Sequence, residues 1–255
     1  LAAAVGRLRA EPFLGANVTV PHKEAVVPLL DELTPAARAV GAVNTIVRSG
    51  ARLVGHNTDG AGFLLGLEEL APPGEGYATS GSWLADAHCL VLGAGGAARA
   101  VAHALATAGA AVHVLNRDPA RAERLVADLG PAVTGGTLAT VEPAAVDRLL
   151  SRAALLVNTT SVGMQGGPDP HGLPLLDAAQ LRLLPATARV VDLVYRPAVT
   201  PLLAAAADLG LAQQNGLAML VWQGALAFQA WTQVQAPVAA MRAAAERGLA
   251  EAPHA

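Results

Sequence analysis

The chain has 255 residues, 53% apolar, 15% charged and 3% aromatic, which excludes a disordered polyelectrolyte and leaves room for one large domain or two ordinary ones. With 17 Lys and Arg against 20 Asp and Glu, the net charge of −3 offers no basic field for nucleic acid or an anionic membrane. The two most apolar stretches, residues 97–115 and 217–231, are interrupted by Arg99, His103, His113, Gln223 and Gln229, so neither gives the roughly 20 unbroken apolar residues of a membrane span. A single cysteine, Cys89, cannot form an intrachain disulfide, and a cytoplasmic location is expected.

In chain order, Asn17–Pro21 reads as a strand closed by proline, and His22–Leu33 as a short helix carrying Pro28. Residues 42–47 and 53–54, either side of Gly50, read as a β-hairpin, followed by a helix over Thr58–Leu70 behind a Thr58/Asp59 cap. Pro72–Gly81, with its two prolines and three glycines, is the expected linker. Beyond it strands and helices alternate: strand 89–92, a Gly turn at 93–96, helix to 108, strand 111–115, helix 119–129, helix near 143–150, strand 155–158, strand 189–194 and helix 201–209. That alternation predicts an α/β chain with a doubly wound parallel sheet. The tail, Leu217–Gly248, returns to helical periodicity broken at Pro237, and two architectural units are expected.

Leu90-Val-Leu-Gly93-Ala-Gly95-Gly-Ala-Ala98 satisfies G-x-G-x-x-A between an apolar strand and a helix. The glycines permit a tight turn and close approach of backbone to a pyrophosphate, whose charge is met by the N–H groups of the helix start. An NAD-preferring site carries Asp or Glu at the end of the second strand, whereas here that place reads Asn116-Arg117-Asp118-Pro-Ala-Arg121. Arg117 and Arg121 suit a 2′-phosphate and point to NADP, although the same residues also suit a solvated helix start. Asp118 could accept a ribose hydroxyl and soften that preference.

A second cluster lies in the first unit: Asn17, Thr19, Lys23, Asn44 and Asp59 sit among apolar runs where each is costly unless paired or bound to a ligand. Taken singly, Asn44 equally suits a turn and Asp59 a helix cap. Lys23 is the only lysine beside 16 arginines. Where Arg serves every other cation, the retained Lys points to a proton that can leave, although chance survival of one Lys in so biased a composition gives the same count. No metal or nucleophile constellation emerges: the seven histidines lack ligand spacing, Cys89 falls inside a strand, and Ser161 lacks the nucleophile-elbow glycines.

Taken together, these blocks resemble the shikimate dehydrogenases, NADP-dependent enzymes of aromatic amino-acid synthesis. The resemblance runs from about Gly15 to the C-terminus, on G-A-N-V-T-V-P-H-K at 15–23, G-A-V-N-T at 41–45, N-T-D-G at 57–60 and G-A-G-G-A at 93–97. It continues through N-R-D-x-x-R at 116–121, N-T-T-S-V-G-M at 158–164, D-L-V-Y-R-P at 192–197 and N-G-L-A-M-L-V-W-Q at 215–223. It implies a catalytic pair, Lys23 and Asp59, and a substrate pocket of Asn17, Thr19, Asn44, Asp59, Tyr195 and Gln223 for shikimate or 3-dehydroshikimate. It implies NADP on Gly93, Ala94, Gly95, Gly96, Ala97, Asn116, Arg117, Asp118 and Arg121, with Leu193 and Gly216 near the nicotinamide. Tyr195 also suits a packing role at a strand end, and Gln223 a polar position on an interface helix.

The resemblance further implies a substrate unit of residues 1–83 and 217–255, with the tail folding back, around a Rossmann-like unit of residues 84–216. Hydride would pass between the nicotinamide and C3 of the substrate while Lys23, assisted by Asp59, exchanges the proton. Related readings are a quinate/shikimate dehydrogenase with relaxed cofactor choice and a non-catalytic NADP-binding sensor; a homodimer and a monomer are both compatible. Two departures stand out. The strand and paired serines that open family members have no counterpart before Asn17: either they lie upstream of Leu1, which the missing initiator Met favours, or the protein is truncated; and Asp118 stands where Thr or Ser is common.

Overall fold

The computed structural model describes residues 1–10, 12–71 and 83–251; the expected linker at Pro72–Gly81 and His254 lie outside the described residues. The first segment contains α1 (Ala2–Arg7), β1 (Gly15–Asn17), β2 (Glu32–Leu33), α2 (Pro35–Val40), β3 (Thr45–Ser49), β4 (Arg52–His56) and α3 (Asp59–Leu67). Its strands form a mixed sheet ordered β1-β3-β4-β2, with the expected antiparallel hairpin at its centre. Gly50 supplies the left-handed residue of the hairpin turn at φ +61°. One sheet face is closed by a small core of Val26, Ala37, Val43, Ile46 and Leu53.

Two expectations for this segment fail. The strand read at Asn17–Pro21 lies earlier, at Gly15–Asn17, because Pro21 has no N–H for a ladder. The helix read over His22–Leu33 is a series of turns with a single 3-10 turn at Val27–Leu29, and Glu32–Leu33 pairs parallel with β4. Pro28 and so short a stretch leave no run of i→i−4 bonds to propagate.

The second unit runs β5 (His88–Leu92), α4 (Gly96–Thr107), β6 (Ala111–Leu115), α5 (Pro119–Leu129), β7 (Thr137–Thr140), α6 (Val146–Leu150), β8 (Ala153–Asn158), α7 (Ala178–Leu181), β9 (Arg189–Asp192), α8 (Pro201–Asp208) and β10 (Ala212–Asn215). Its six strands are all parallel, in the order β10-β9-β8-β5-β6-β7. This is the doubly wound Rossmann arrangement, and it reverses direction between β5 and β8. Cys89, Val91, Leu155 and Val157 pack under α4 and α5, while Leu90, Leu92, Leu156 and Val190 pack under α6 and α8. Apolar side chains on both faces explain why these strands read as unbroken hydrophobic runs.

Local signals set the helix ends. Asp118 caps α5, its Oδ1 accepting from Ala120 N at 3.1 Å, with Pro119 behind it. Thr200 caps α8 ahead of Pro201, and α4 starts at Gly95 with no side-chain cap.

The tail forms α9 (Leu217–Thr232) and α10 (Val238–Glu251). α9 lies along α3 and against β3, with a Cβ built on Gly62 only 2.6 Å from Gln223 N and one on Gly66 3.1 Å from Ala218 Cβ. Only glycine at those two positions lets the helices approach so closely. Trp231 Nε1 donates to Ile46 O at 2.9 Å, and Arg242 pairs with Glu69. Between the units, buried Arg99 on α4 donates from Nε to Val40 O at the end of α2 (2.7 Å) and from Nη1 to Asp128 on α5 (3.0 Å). Among the described residues no helix is long and apolar enough to cross a membrane.

Candidate active site

The polar residues of the first segment converge where β1, β3, α3 and α9 meet the start of α4. Lys23 Nζ lies 2.7 Å from Asp59 Oδ2, both side chains largely buried, at 14% and 4% exposure. Asp59 opens α3, and Asn57 Oδ1 accepts its backbone N–H at 3.1 Å. The backbone of Lys23 is held by Val43 N donating to its carbonyl at 2.8 Å, which ties it to the chain leading to Asn44. Its aliphatic stem lies against α4: a Cβ on Gly96 would sit 3.3 Å from Lys23 Cβ and 3.4 Å from Cδ. The only lysine of the chain thus stands between a carboxylate and the first turn of the helix behind the glycine loop.

Asn44 is the hub of the cluster and is 2% exposed. Its Nδ2 lies 2.8 Å from Thr58 Oγ1, 2.9 Å from Asp59 Oδ1 and 3.2 Å from Gln223 Oε1, so two hydrogens serve three acceptors. Its Oδ1 accepts from Thr58 N at 2.8 Å and from Thr45 Oγ1 at 3.2 Å. Asn17 reaches the rim, donating to Thr45 Oγ1 (3.2 Å) and Asn44 O (3.3 Å). The structure therefore brings together Asn17, Lys23, Asn44, Asp59 and Gln223, from widely separated parts of the sequence. Thr19 is exposed and outside this network, and Tyr195, 39% exposed, makes no hydrogen bond among the described residues.

Thr58 departs from its expected capping role. It occupies the N-cap position without a cap bond, and its hydroxyl instead donates to Gln223 O at 3.0 Å while accepting from Asn44. Sequence reasoning misses Thr45 and Thr58 as site residues; their only signal is a polar residue beside the Asn and Asp of each block.

The loop after β5 has the features a dinucleotide needs. Gly93 adopts φ +110°, and its missing side chain leaves room for Thr159 Oγ1, which a Cβ would approach to 2.6 Å. Gly95 faces open space, with no atom within 4 Å of a Cβ built there. The first N–H groups of α4 are therefore uncapped and accessible, as an anion site requires. At the end of β6, Arg117 and Arg121 are exposed and form no ion pair among the described residues. Asn116 donates to Asp118 O at 2.9 Å, and the Asp118 carboxylate is engaged in capping α5. Leu193 and Gly216 stack backbone on backbone at the ends of β9 and β10, where a Cβ on Gly216 would collide with Leu193 O. The residues present fit NADP.

Burial shifts both Cys89 and His56. The Cys89 thiol is pushed up to about 12 by burial, which makes it inert. His56, beside the site, is held below the usual histidine range by burial. Among the described residues no group of three or more His, Cys, Asp or Glu side chains converges as a metal would need.

Comparison with known proteins decides the family. Family profiles match three segments: a shikimate dehydrogenase substrate binding domain at residues 1–46, a shikimate/quinate 5-dehydrogenase domain at 78–161 and a shikimate 5'-dehydrogenase C-terminal domain at 216–246. An NADP(+) shikimate dehydrogenase of Symbiobacterium thermophilum is 48% identical over 249 residues, covering 96% of this chain and 80% of that protein. The chain belongs to the shikimate dehydrogenase family. Among solved family structures, shikimate 5-dehydrogenase from Thermus thermophilus in complex with NADP(H) and shikimate matches with TM-score 0.80 and 40% identity, covering 98% of this chain and 84% of that one. Quinate dehydrogenase from Corynebacterium glutamicum in complex with NAD matches with TM-score 0.83 and 33% identity, covering 98% and 83%.

Proposed function

We propose that this chain is an NADP-dependent shikimate dehydrogenase that reversibly reduces 3-dehydroshikimate to shikimate in the cytoplasm, within aromatic amino-acid synthesis. Family membership supports the reaction class. The observation that carries the chemistry is the 2.7 Å contact of Lys23 with Asp59, pressed against the first residue of α4. Residues 1–83 with 217–255 serve as the substrate unit and residues 84–216 as the NADP unit. The contact of α9 with α3 and β3 supports this division.

NADP, when bound, supplies or takes the hydride. Gly93 to Ala97 would hold its pyrophosphate with backbone N–H groups, Arg117 and Arg121 its 2′-phosphate, Asn116 and Asp118 would border the ribose, and Leu193 and Gly216 would pack near the nicotinamide. In the reducing direction Lys23 Nζ donates a proton to the oxygen at C3 of the substrate as that carbon becomes tetrahedral. In the oxidising direction the same amine accepts it. Asp59 holds Nζ with Oδ2 and is itself oriented through Oδ1 by Asn44. Asn17, Thr19, Tyr195 and Gln223 offer donors and acceptors to the substrate hydroxyls, and Asn44, its own groups engaged by Thr45, Thr58, Asp59 and Gln223, lines the substrate pocket behind them. Fixing these groups before reaction supplies much of the remaining rate.

The test is steady-state turnover of shikimate or quinate with NADP⁺ or NAD⁺, in four combinations. Shikimate with NADP⁺ is expected to give the highest kcat/KM. Higher kcat/KM for quinate with NAD⁺, or turnover of neither acid, would contradict the proposal.

A further inference from the structure

At the C-terminal edge of the parallel sheet, β5, β8, β9 and β10 end in one row: Leu92 pairs with Asn158, Asn158 with Asp192, and Asp192 with Asn215. Three of those four residues are polar, and Asn158 and Asp192 are wholly buried. Loops normally leave a sheet edge through local turns, so two neighbouring polar residues buried at that edge need a reason.

Each member ties down the loop beyond its own strand or beyond a neighbouring one. Asp192 Oδ1 accepts from Asn158 Nδ2 (2.9 Å) and from Val194 N (3.0 Å), and its Oδ2 accepts from Thr200 Oγ1 (2.7 Å). Asn158 Oδ1 accepts from Thr160 N and Oγ1 at 2.9 and 2.7 Å, which folds the loop after β8. Asn215 donates to Ala198 O at 2.9 Å and accepts from Leu217 N at 3.1 Å, joining the loop after β9 to the start of α9. Thr159, next to Asn158, donates to Leu92 O at 2.7 Å beside the Gly93 turn.

One bonded row therefore runs from the glycine turn through Asn158 and Asp192 to Val194, whose carbonyl accepts from Gly216 N at 3.1 Å at the head of the helix that carries Gln223, and the Asp192 carboxylate is its only charge. Its three donors come from the end of β8 and from both ends of the loop after β9, so one carboxylate holds two strand exits together. Burial raises its proton affinity while the three bonds oppose that rise.

We infer that Asp192 is a positioning residue: by fixing the loops after β8 and β9, and through Val194, which bonds Gly216, it sets the backbone at Leu193 and Gly216 near which the nicotinamide would pack, relative to Lys23. The inference deepens the proposed reaction and rests on that reading for its kinetic readout only, since cofactor binding is measured without substrate. Asp192 touches neither substrate nor proton; it acts through the backbone it holds.

The experiment compares Asp192→Ala, Asp192→Asn and Leu203→Val, the last a packing change behind α8 that leaves the row intact. Three quantities are measured on the folded protein: the melting temperature, the NADPH dissociation constant by fluorescence, and the isotope effect on shikimate oxidation with deuterium at C3. Asp192→Ala is expected to weaken NADPH about tenfold and to raise the isotope effect, because misplacing a reacting group makes hydride transfer limiting. Asp192→Asn, which keeps the shape and one accepting oxygen, should stay within about threefold of wild type. Leu203→Val should lower the melting temperature and leave the dissociation constant and isotope effect unchanged.

Should Asp192→Ala not fold, Thr200→Val removes the donor to Asp192 Oδ2, and a few-fold loss in NADPH affinity is expected. Variants that lower only the melting temperature would overturn the inference, as would an Asp192→Asn change as severe as Asp192→Ala. If wild type binds NADPH but does not turn over shikimate, the reaction reading fails while the binding comparison still decides the role of Asp192. Absence of NADPH binding by wild type would overturn both.

Discussion

The two halves of the proposed site are built by opposite means. On the proposed cofactor side the chain offers mainly backbone: a turn at positive φ, an open glycine, an uncapped helix start and, at the rim, two arginines without an ion pair among the described residues. On the proposed substrate side it offers side chains locked to one another, with every side-chain polar atom of Asn44 and both oxygens of Asp59 engaged. The first half is local in sequence, since a strand, turn and helix follow one another within residues 88–107. The second is assembled from positions 17, 23, 44, 59 and 223. A backbone cradle suits a ligand that is the same in every cycle and is held by its phosphates, whereas a wired side-chain cluster suits a centre where a proton must move along one path.

The contrast is broken most severely at Lys23. Replacing Lys23 by Ala is expected to cut kcat by about 10²-fold or more with a much smaller change in KM, the scale of one general acid or base. Lys23→Arg should not restore it, because a guanidinium keeps its proton at any working pH. Steady-state kinetics of both variants checks this.

On the backbone side, Arg117→Ala and Arg121→Ala should each weaken NADPH by about 1–3 kcal/mol, the usual cost of a lost hydrogen bond to a charged group, and leave NADH nearly unaffected. Titration calorimetry with both cofactors reads the difference. Equal weakening would make these arginines mere shapers of the turn.

Gly96 sharpens the comparison because it belongs to both halves. Gly96→Ala suits a helix start, so stability should hold or rise slightly. Its Cβ must displace the Lys23 stem by a few tenths of an ångström, and kcat is expected to fall several-fold with no loss of thermal stability. A melting curve and a rate on the same sample separate the two effects.

The smallest effect lies away from the proposed site, where His88 Nδ1 and His113 Nε2 approach to 3.2 Å across β5 and β6. Burial holds both below the usual 6.5, with the charges of His88 and Arg152 adding to the effect at His113. Because the unfolded chain takes up these protons first, stability is fully present above about pH 6.5 and declines as pH falls through the depressed folded values. His113→Gln should flatten that decline in melting temperature between neutral and mildly acidic pH.

How much is legible in the sequence divides along the same line. β5, β6, β8 and β9, the glycine turn and α5 behind Pro119 are readable because apolar runs and helix-start residues act locally. β2, β7, β10 and α2 are not, being short segments whose partners are distant: Glu32–Leu33 becomes a strand only because β4 lies beside it. His22–Leu33 misleads because apolar spacing alone cannot tell a helix from a chain packing side chains into a small sheet. In the site, Lys23, Asn44 and Asp59 are betrayed by their residue types. Thr58 reads as a cap because its acceptor, Gln223 O, lies 165 residues away. Arg99 and Asp192 look like ordinary helix and strand-end charges, and only tertiary burial reveals their bonds.

The most direct test of the central claim uses the composition itself. An amine-selective reagent has one side-chain target in this chain, Lys23, besides the α-amino group. Mass spectrometry and residual turnover are followed together as modification proceeds, with and without saturating shikimate. The account predicts that activity falls in step with a single adduct at Lys23 and that shikimate protects both. Full labelling of Lys23 with the rate intact would contradict it.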